Sequence, residues 1–497
     1  MTQTPATRAT VTTDLLIGGE PVATAGRLDV HDPASPDTRV GRAACAGPTE
    51  ARRAVDAAQS AFPHWSGLTP RERADAVMAA LPGIAGAAEQ LAELLTRETG
   101  KVLAESLVDV AVFVSRCRNA ARLAESVPPE TVLPGPPFDT RVERLASGVV
   151  TVIVPFNWPL AITAAAMPYA LIAGNSVIVK PPPTAPLATT RALELMATAL
   201  PPGVLNVVTG TNEGVEPLLT DPRVRHVVFT GSTGGGRAVM RLAARPLARL
   251  TLELGGNDPA ILLDDVELNE ATVGGLVSGT YLTTGQVCMA IKRLYVPRTR
   301  YAEVVEALGA ALERQRIGHG LDPRTTMGPV HTARQRKFVG DLLAEARARG
   351  AEVKEYGSGA EDTPDGGHFL RPSLVLDPAQ DARVVTEEQF GPTLPVIPYD
   401  ALDPLVERLN GEWSGLCSSV WSSDLERADD VARRLRTGTT WINQANAVAC
   451  DDRAPFGGFR QSGMGREMGP EGLLDFTEPH VITRPAMPVV DPAVTTA

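Results

Sequence analysis

The stretch VVTVIVPFNWPLAITAAAMPYALIAGNSVIVK, residues 149–180, begins and ends with a short run of β-branched residues, and an apolar segment lies between the two runs. Runs of this composition are typical of buried strands, and the segment between them has the length of a helix. The same alternation of short apolar runs and helices continues to about residue 254. It predicts βαβ units around a parallel sheet, and therefore an α/β protein.

Helical patterns precede this region, and a second alternation follows it. Residues 52–62 and 71–99 have apolar residues at helical spacing, and the second pattern stops at Gly100. Beyond residue 254, a further region of apolar runs and helices continues to about Val448. The chain is therefore predicted to contain more than one α/β unit, as expected for a length of 497 residues, which exceeds what a single core supports.

Two segments depart from this alternation. The stretch from about Val127 to Glu143 is rich in Pro and is interpreted either as a linker or as an arm that pairs with another element. A β-like run, Val481-Ile-Thr, comes near the C-terminus. The last dozen residues are rich in Pro, Ala and Thr and are predicted to be disordered.

Composition argues against several classes of partner. The net charge of −11 is spread along the chain without a sustained acidic or basic block, which argues against nucleic acid or an anionic membrane as a partner. The five cysteines are scattered and form no Cys/His cluster, so no metal site is predicted and a reduced, cytoplasmic setting is expected. Residues 1–14 contain no apolar core of a secretory signal, and no apolar run is long enough to span a bilayer.

Two motifs offer a nucleophile and a base. Gly285-Gln-Val-Cys288 places a cysteine after a glycine-led turn, where a thiolate could attack a carbonyl carbon, although an apolar cysteine is commonly a small core residue. In Leu252-Glu-Leu-Gly-Gly-Asn257 a single acid lies inside an apolar run. Burial should raise the pKa of Glu253, as a general base for activating water requires; the alternative is a structural acid at a strand end.

Two further motifs offer an oxyanion donor and a phosphate site. Pro155-Phe-Asn157-Trp-Pro follows a strand, and its side-chain amide could stabilise an oxyanion, although Asn before a turn is also common for conformational reasons. Phe229-Thr-Gly-Ser-Thr-Gly-Gly-Gly236 runs from a strand into a helix, whose free amides could bind pyrophosphate. The run does not match the GxGxxG fingerprint.

Together and in this order, the four motifs resemble the aldehyde dehydrogenase superfamily, and the resemblance extends from about Leu15 to Thr483. Further matching stretches are Glu98-Thr-Gly-Lys101, Gly174-Asn-Ser-Val-Ile-Val-Lys180-Pro, Pro202-Gly-Val-Leu-Asn206, Glu387-Glu-Gln-Phe390-Gly-Pro and Pro455-Phe-Gly-Gly. The resemblance implies a Rossmann-like cofactor domain over residues 1–124 and 147–254 and an α/β catalytic domain over 255–455. It also implies a small β oligomerisation arm from 125–146 and the tail 456–497, and with it a homodimer or homotetramer.

The resemblance also implies the chemistry. Cys288 would attack an aldehyde, Asn157 and the Cys288 backbone N–H would hold the oxyanion, and Glu253 would activate the water that hydrolyses the thioester. The implied cofactor is NAD or NADP, held by Lys180, Ser232, Glu388, Phe390, Phe156 and Gly231. The implied substrate tunnel is lined by Trp158, Val287, Met289 and Phe456.

Two of the departures from the family pattern concern the cofactor and a proton relay. Many NAD-preferring relatives have a glutamate where Pro183 stands, and an acid there would repel a 2′-phosphate. Its absence leaves NADP open, although NAD is slightly favoured. Some relatives have a lysine where Ala166 stands, so Glu467 lacks this partner of a proton relay. The charged run Asp451-Asp-Arg453 near the predicted mouth could suit a polar or cationic aldehyde, or could simply be solvated.

Several alternatives stay open within this assignment. A coenzyme-A-acylating enzyme would release the thioester to a thiol, but Glu253 favours hydrolysis, since acylating relatives commonly lack that acid. A semialdehyde dehydrogenase and an aromatic aldehyde dehydrogenase are both compatible with the pattern. A catalytically silent binding protein on the same fold is the alternative from another class, and the joint presence of Cys288, Glu253 and Asn157 argues against it.

Overall fold

The structure, a computed structural model, describes residues 10–124, 130–135 and 137–486. The predicted disorder of the last dozen residues concerns a segment that lies, from residue 487 onward, outside the described residues. The strands are β1 Val11–Thr13, β2 Leu15–Ile17, β3 Glu20–Val22, β4 Arg27–Asp32, β5 Ser35–Ala44, β6 Glu130–Leu133, β7 Phe138–Ala146, β8 Val149–Ile153, β9 Ser176–Lys180, β10 Leu205–Val207, β11 Val224–Thr230, β12 Arg249–Glu253, β13 Pro259–Leu262, β14 Arg293–Pro297, β15 Glu352–Glu355, β16 Ser373–Leu376, β17 Thr393–Tyr399, β18 Cys417–Trp421, β19 Thr439–Ile442, β20 Gly463–Met464 and β21 Thr477–Pro485.

The helices alternate with these strands over most of the chain. They are α1 Pro48–Gly67, α2 Pro70–Gly86, α3 Ala88–Thr99, α4 Leu103–Leu123, α5 Pro159–Ala173, α6 Leu187–Ala197, α7 Pro217–Thr220, α8 Thr233–Ala243, α9 Glu270–Tyr281, α10 Tyr301–Leu312, α11 Ala333–Ala348, α12 Arg383–Thr386, α13 Leu402–Asn410, α14 Leu425–Arg434 and α15 Gly469–Asp475. The predicted helical pattern over 71–99 corresponds to two helices that break at Ala87, and the second ends at Gly100, whose φ of 88° is left-handed.

The first large sheet has the strand order β20-β12-β11-β8-β9-β10-β2-β3. Its central strands β12, β11, β8, β9 and β10 are all parallel, and antiparallel strands close both edges. Residues 149–180 form the β8–α5–β9 unit at its centre, as the β-branched runs predict. The expected α/β fold with parallel strands is therefore confirmed.

The second large sheet has the strand order β15-β16-β17-β14-β13-β18-β19. All its pairings are parallel except the one between β15 and β16 at the edge. Its strands are drawn from residues 259–442, in the region of the second predicted alternation. The molecule thus contains two mainly parallel sheets. Ligands of such sheets bind at the carboxyl ends of the strands.

A separate three-stranded antiparallel sheet joins β6, β7 and β21. Of the two interpretations of the Pro-rich stretch, its described residues show the paired one, since β7 lies between β6 and the C-terminal β21. Another small sheet consists of β1, β5 and β4 near the N-terminus. Among the helices of the described chain, none combines the length and apolar character needed to cross a bilayer.

A buried ion pair connects the helices next to the first large sheet. Lys101 Nζ lies 2.6 Å from Asp109 Oδ2, and the two side chains are 1% and 0% exposed. Asp109 Oδ1 also accepts a hydrogen bond of 2.7 Å from the backbone N–H of Ala161, in the first turn of α5. Trp158 at the N-cap of that helix makes no side-chain cap, so Asp109 from α4 supplies the missing acceptor.

We expect Asp109→Ala to lower the free energy of unfolding by about 3–5 kcal/mol, because it leaves the Lys101 charge buried without a partner. The measurement is the urea-induced unfolding curve followed by tryptophan fluorescence. The control is Asp341→Ala, which breaks an exposed pair with Lys337 and should cost at most about 1 kcal/mol. Equal effects of the two substitutions would contradict a structural role for the buried pair.

Candidate active site

Loops that follow neighbouring parallel strands meet at one edge of the first large sheet. Strand β12 ends at Glu253, and β11 ends at Thr230 directly opposite it. Strand β9 ends at Lys180 opposite Ile153 of β8, and Asn157 lies in the turn between β8 and α5. Parallel pairing in this register therefore delivers a carboxylate, an amide and an ammonium to the same edge.

The segment that carries Cys288 lies between α9 and β14 and has an unusual backbone. Thr283, Thr284 and Gly285 all have left-handed conformations, with φ of 54°, 56° and 71°. A β-branched residue in this region costs on the order of 1–3 kcal/mol, so the surrounding structure must hold it there. At Gly285 a Cβ would lie 2.2 Å from the carbonyl oxygen of Gly391, so only glycine fits.

Two side chains and one backbone carbonyl hold these threonines. Glu105 Oε1 of α4 accepts a 2.8 Å hydrogen bond from the backbone N–H of Thr283. Trp158 Nε1 donates to Thr283 Oγ1 at 3.0 Å, and Thr284 Oγ1 donates to the carbonyl oxygen of Gly328 at 3.0 Å. These bonds compensate for the strained backbone and set the direction in which the following residues leave the turn.

The residues just before the cysteine are held by hydrogen bonds from Asn157, His331 and Lys292. Asn157 Nδ2 donates to the carbonyl oxygen of Gln286 at 2.9 Å, and the backbone N–H of His331 donates to Gln286 Oε1 at 2.9 Å. Lys292 Nζ donates to the carbonyl oxygen of Val287 at 2.5 Å. Asn157, in the turn that follows β8 of the first large sheet, thus forms a direct hydrogen bond with the segment that precedes the thiol.

Two cavities meet at the thiol. The first, about 410 Å³, lies between α4, α5 and the segment after α9, and we call it the tunnel. The second, about 310 Å³, lies along the ends of β8, β11 and β12, and we call it the cleft. Both cavities are lined by Cys288, Glu253, Asn157, Thr230 and Ile162.

The predicted site residues divide between these cavities. The tunnel is lined by Trp158, Val287, Met289 and Phe456, and the cleft by Phe156, Gly231, Ser232, Glu388 and Phe390. Lys180 is the exception, because it lies at the end of β9 outside the lining of both, with its side chain largely buried. Desolvation lowers the pKa of Lys180 to about 8.

The cleft has the features that a dinucleotide needs. Ser232 caps α8, and its Oγ accepts from the backbone N–H of Gly235 at 3.1 Å, which leaves the hydroxyl proton free to donate. The first amides of α8 open beside it, where a helix stabilises negative charge. A Cβ on Gly231 would lie 2.6 Å from the ring of Phe229, so a larger residue would clash in this turn. Glu388 Oε1 is buried without a hydrogen-bond partner among the described residues. The N–H and O–H donors therefore fit a pyrophosphate, and the carboxylate of Glu388 fits a ribose hydroxyl as an acceptor.

Burial keeps the thiol protonated. Desolvation above all, with a further contribution from the nearby carboxyl of Glu388, raises the pKa of Cys288 to about 12, although Lys292 acts in the opposite direction. The cysteine is therefore a neutral thiol at neutral pH in this state of the site, and it must lose its proton as a bond to carbon forms.

Glu253 is a buried acid at the junction, the place beside Cys288 where the tunnel and the cleft meet. Neither of its carboxyl oxygens has a hydrogen-bond partner among the described residues. Burial, with a further contribution from the negative charge of Glu467, raises the pKa of Glu253 well above its usual value. A carboxyl group in this condition is a strong base once it is ionised, as the activation of water requires.

The tunnel is lined by residues of α4 that sequence reasoning did not identify. Ala104, Val108, Val112 and Arg116 of α4 all line it, and Glu105 lies beside them. Their spacing of four residues along one helix is the signal that could have found them, but the sequence analysis made no prediction for α4. Glu467 also lines the tunnel, and burial raises its pKa to about 7.

The charged run near the tunnel is divided by the structure. Asp451 and Arg453 form a 2.6 Å ion pair in which both side chains are exposed, so these two charges are solvated. Asp452 points inward instead, and its Oδ1 accepts a 2.9 Å hydrogen bond from Arg116 Nε. The run therefore contributes one inward-facing carboxylate, and that carboxylate is already paired.

Comparison with known proteins agrees with this geometry. A sequence profile described as the aldehyde dehydrogenase family matches residues 22–482. A geranial dehydrogenase from Castellaniella defragrans is 37% identical over 426 residues, which cover 85% of this chain and 88% of that protein. A succinate-semialdehyde dehydrogenase [NADP(+)] from Escherichia coli is 34% identical over 455 residues, which cover 91% of this chain and 93% of that protein.

Solved structures show the same fold. The crystal structure of betaine aldehyde dehydrogenase from Staphylococcus aureus in complex with NAD+ superimposes with a TM-score of 0.90 at 32% sequence identity, over 96% of this chain and 95% of that one. The implied superfamily is thus confirmed over nearly the whole chain. The chain belongs to the aldehyde dehydrogenase family, and its reaction is the NAD(P)-dependent oxidation of an aldehyde.

Proposed function

We propose that the aldehyde is oxidised through a thioester on Cys288, which water hydrolyses with Glu253 as the general base. The observation that carries this proposal is the shared lining of the two cavities, where Cys288, Glu253 and Asn157 are the only three that offer a thiol, a carboxyl and an amide. A substrate entering from the tunnel and a dinucleotide lying in the cleft would meet at these side chains. The roles follow from their chemistry.

Cys288 attacks the carbonyl carbon, and Asn157 stabilises the oxygen on which negative charge develops. The amide of Asn157 has two N–H donors, and one is used by the carbonyl oxygen of Gln286. The second is available to the oxyanion, together with the backbone N–H of Cys288. The bond to Gln286 fixes the amide in place before the substrate arrives, so the donor need not reorganise during the reaction.

Glu253 acts after the substrate carbon has been oxidised. Its buried, unpartnered carboxyl lies at the junction, where it can take a proton from water as that water attacks the thioester carbon. This favours hydrolysis over transfer of the acyl group to coenzyme A. A semialdehyde dehydrogenase and an aromatic aldehyde dehydrogenase both use this chemistry and differ only in what the tunnel accepts.

The cleft is proposed to hold NAD or NADP, with NAD preferred. When bound, the nicotinamide supplies the hydride acceptor. Ser232 and Gly231 would hold the pyrophosphate, Glu388 the nicotinamide ribose, and Phe156 and Phe390 the faces beside the nicotinamide. Lys180 offers a buried ammonium to the adenosine ribose, and Pro183 stands where an acid would exclude NADP.

The proposed domain division assigns residues 1–124 and 147–254 to the cofactor domain and 255–455 to the catalytic domain. Residues 125–146 and 456–497 form the arm and tail, within which β20 adds an edge strand to the first large sheet.

A cytoplasmic location is supported by the five cysteines, all of which are free thiols. A homodimer or homotetramer is supported by one face of the arm sheet, on which Leu133, Phe138 and Val481 are each more than half exposed.

We expect Glu253→Gln to release one equivalent of reduced nucleotide per active site and then stop, with steady-state turnover lower by about 10²–10⁴-fold. The thioester would persist because no base activates water. Rapid-quench kinetics and intact-protein mass spectrometry measure the burst and the acyl adduct. Cys288→Ser should abolish both, and a wild-type turnover rate in Glu253→Gln would contradict the assigned base.

The pH profile tests the electrostatic coupling of Glu253. Because the pKa of Glu253 is raised, its basic form and hence thioester hydrolysis should increase as the pH rises. Glu467→Gln removes the neighbouring negative charge, lowers the pKa of Glu253 and should move this rise to lower pH. The control is Glu471→Gln at an exposed position of α15. A profile of Glu467→Gln that coincides with that of the control would show that the two acids are uncoupled.

The exposed face of the arm sheet predicts an effect on assembly. Val481 lies opposite Val142 on this face, whereas His480, opposite Glu143, lies on the other. We expect Val481→Lys to lower the sedimentation mass towards that of a monomer, since a charge would be buried in the interface. The matched substitution His480→Lys should leave the mass unchanged. A wild-type protein that sediments as a monomer would refute the proposed assembly.

A further inference from the structure

The walls of the tunnel are almost entirely apolar away from the reacting groups. Along its length the substrate would contact Val108, Val112, Trp158, Ile162, Leu282 and Met468. Its volume of about 410 Å³ lies within the range of small-molecule pockets. A chain or ring of carbon atoms would therefore be desolvated against carbon on most sides, and affinity should increase with apolar area.

Arg116, the single cation in the lining of the tunnel, is already paired with protein groups. Its Nε donates to Asp452 Oδ1 at 2.9 Å, its Nη1 donates to the carbonyl oxygen of Ala161 at 2.8 Å, and its Nη2 lies 3.8 Å from Cys450 Sγ. The side chains of Arg116 and Asp452 are only 9% and 15% exposed. The carboxylate of a substrate would thus meet only a cation whose charge is already neutralised by Asp452.

The acids of the tunnel also disfavour an anionic substrate. Glu105 accepts a hydrogen bond from the backbone N–H of Thr283, and Glu467 interacts electrostatically with both Arg116 and Glu253. Both line the cavity, and neither can pair with a substrate carboxylate while ionised. An anion that enters the tunnel would lose its water of hydration and would be repelled by these two acids when they are ionised.

A cationic substrate would lack a free aromatic face, and burial raises the pKa of Glu105 and of Glu467 to about 7, which weakens both acids as partners for a cation. The aromatic side chain best suited to a cation is Trp158, but Lys101 Nζ already lies 4.5 Å from the centre of its ring. The negative face of the indole is therefore paired with a cation of the protein. A second positive charge on the tunnel side would be repelled by the first.

We propose that the substrate is an uncharged aldehyde with an apolar tail, and that the Arg116–Asp452 pair prevents recognition of aldehydes that carry a terminal carboxylate. This inference rests on the proposed function, because it assumes that the aldehyde reaches Cys288 through the tunnel. Asp452 is thereby assigned as a specificity-determining residue. It acts by neutralising Arg116 and has no contact with the reacting atoms.

The first test compares substrates with the wild-type enzyme. Across straight-chain aldehydes from three to six carbons, kcat/KM should rise about fourfold for each added methylene. This factor corresponds to the transfer free energy of about 0.8 kcal/mol for each buried methylene. Aldehydes of the same length with a terminal carboxylate should be about a hundredfold poorer than their uncharged counterparts, because a charge is desolvated without a partner. Aldehydes with a terminal trimethylammonium group should be poorer as well.

The outcomes separate this inference from the proposed function. If activity depends on Cys288 but carboxylated aldehydes are oxidised as well as uncharged ones, the substrate class is wrong and the reaction stands. If no aldehyde gives turnover that depends on Cys288, both proposals are overturned. A rise with chain length together with rejection of both charged series supports the inference.

The second test releases the arginine. Asp452→Asn should raise kcat/KM for carboxylated aldehydes at least tenfold, chiefly through a lower KM, and should lower it for uncharged ones. The matched control is Asp451→Asn, at the neighbouring residue, whose partner Arg453 is exposed; it should change neither value. A soluble, folded Asp452→Asn enzyme with unchanged selectivity would overturn the role of the pair. If that variant does not fold, the wild-type comparison alone decides the substrate class.

Discussion

The candidate site depends on the register of parallel strands in the first large sheet. Because β11 and β12 pair so that Thr230 lies opposite Glu253, the acid reaches the same edge as the glycine-rich turn that opens α8. Parallel strands all end in the same direction, so residues far apart in sequence are gathered without any loop having to travel. A slip of one residue would turn Glu253 to the other face of the sheet and separate it from Cys288.

The thiol reaches this edge from the second large sheet, on a segment whose backbone is not intrinsically stable. Thr283 and Thr284 occupy the left-handed region, and their conformations are compensated by bonds from Glu105 and Trp158. Those two side chains also line the tunnel. The wall that contacts the substrate and the support that orients the nucleophile are therefore the same residues, which couples the shape of the tunnel to the position of Cys288.

The sequence predicted elements whose signals are local and missed features that depend on packing. Residues 149–180 were identifiable because β-branched runs flank a helix of apolar residues, and Gly100 because glycine ends helices. The α4 helix was not predicted, since its buried face includes Asp109 and Arg116, which interrupt the apolar pattern and are satisfied only by distant residues. The structure brings Cys288 to the predicted acid and amide, and its role stays a prediction.

The buried charges of this region differ in one respect that bears on function. Lys101 and Arg116 are each paired with an aspartate, as burial of a charge requires. Glu253 has no such partner, and the acid next to it, Glu467, raises its pKa further. An unpaired buried carboxyl weakens the fold, and the surrounding sheet could accommodate an apolar residue instead. The proposed role of Glu253 gives a reason for this cost, because a general base needs a carboxyl whose affinity for a proton is high.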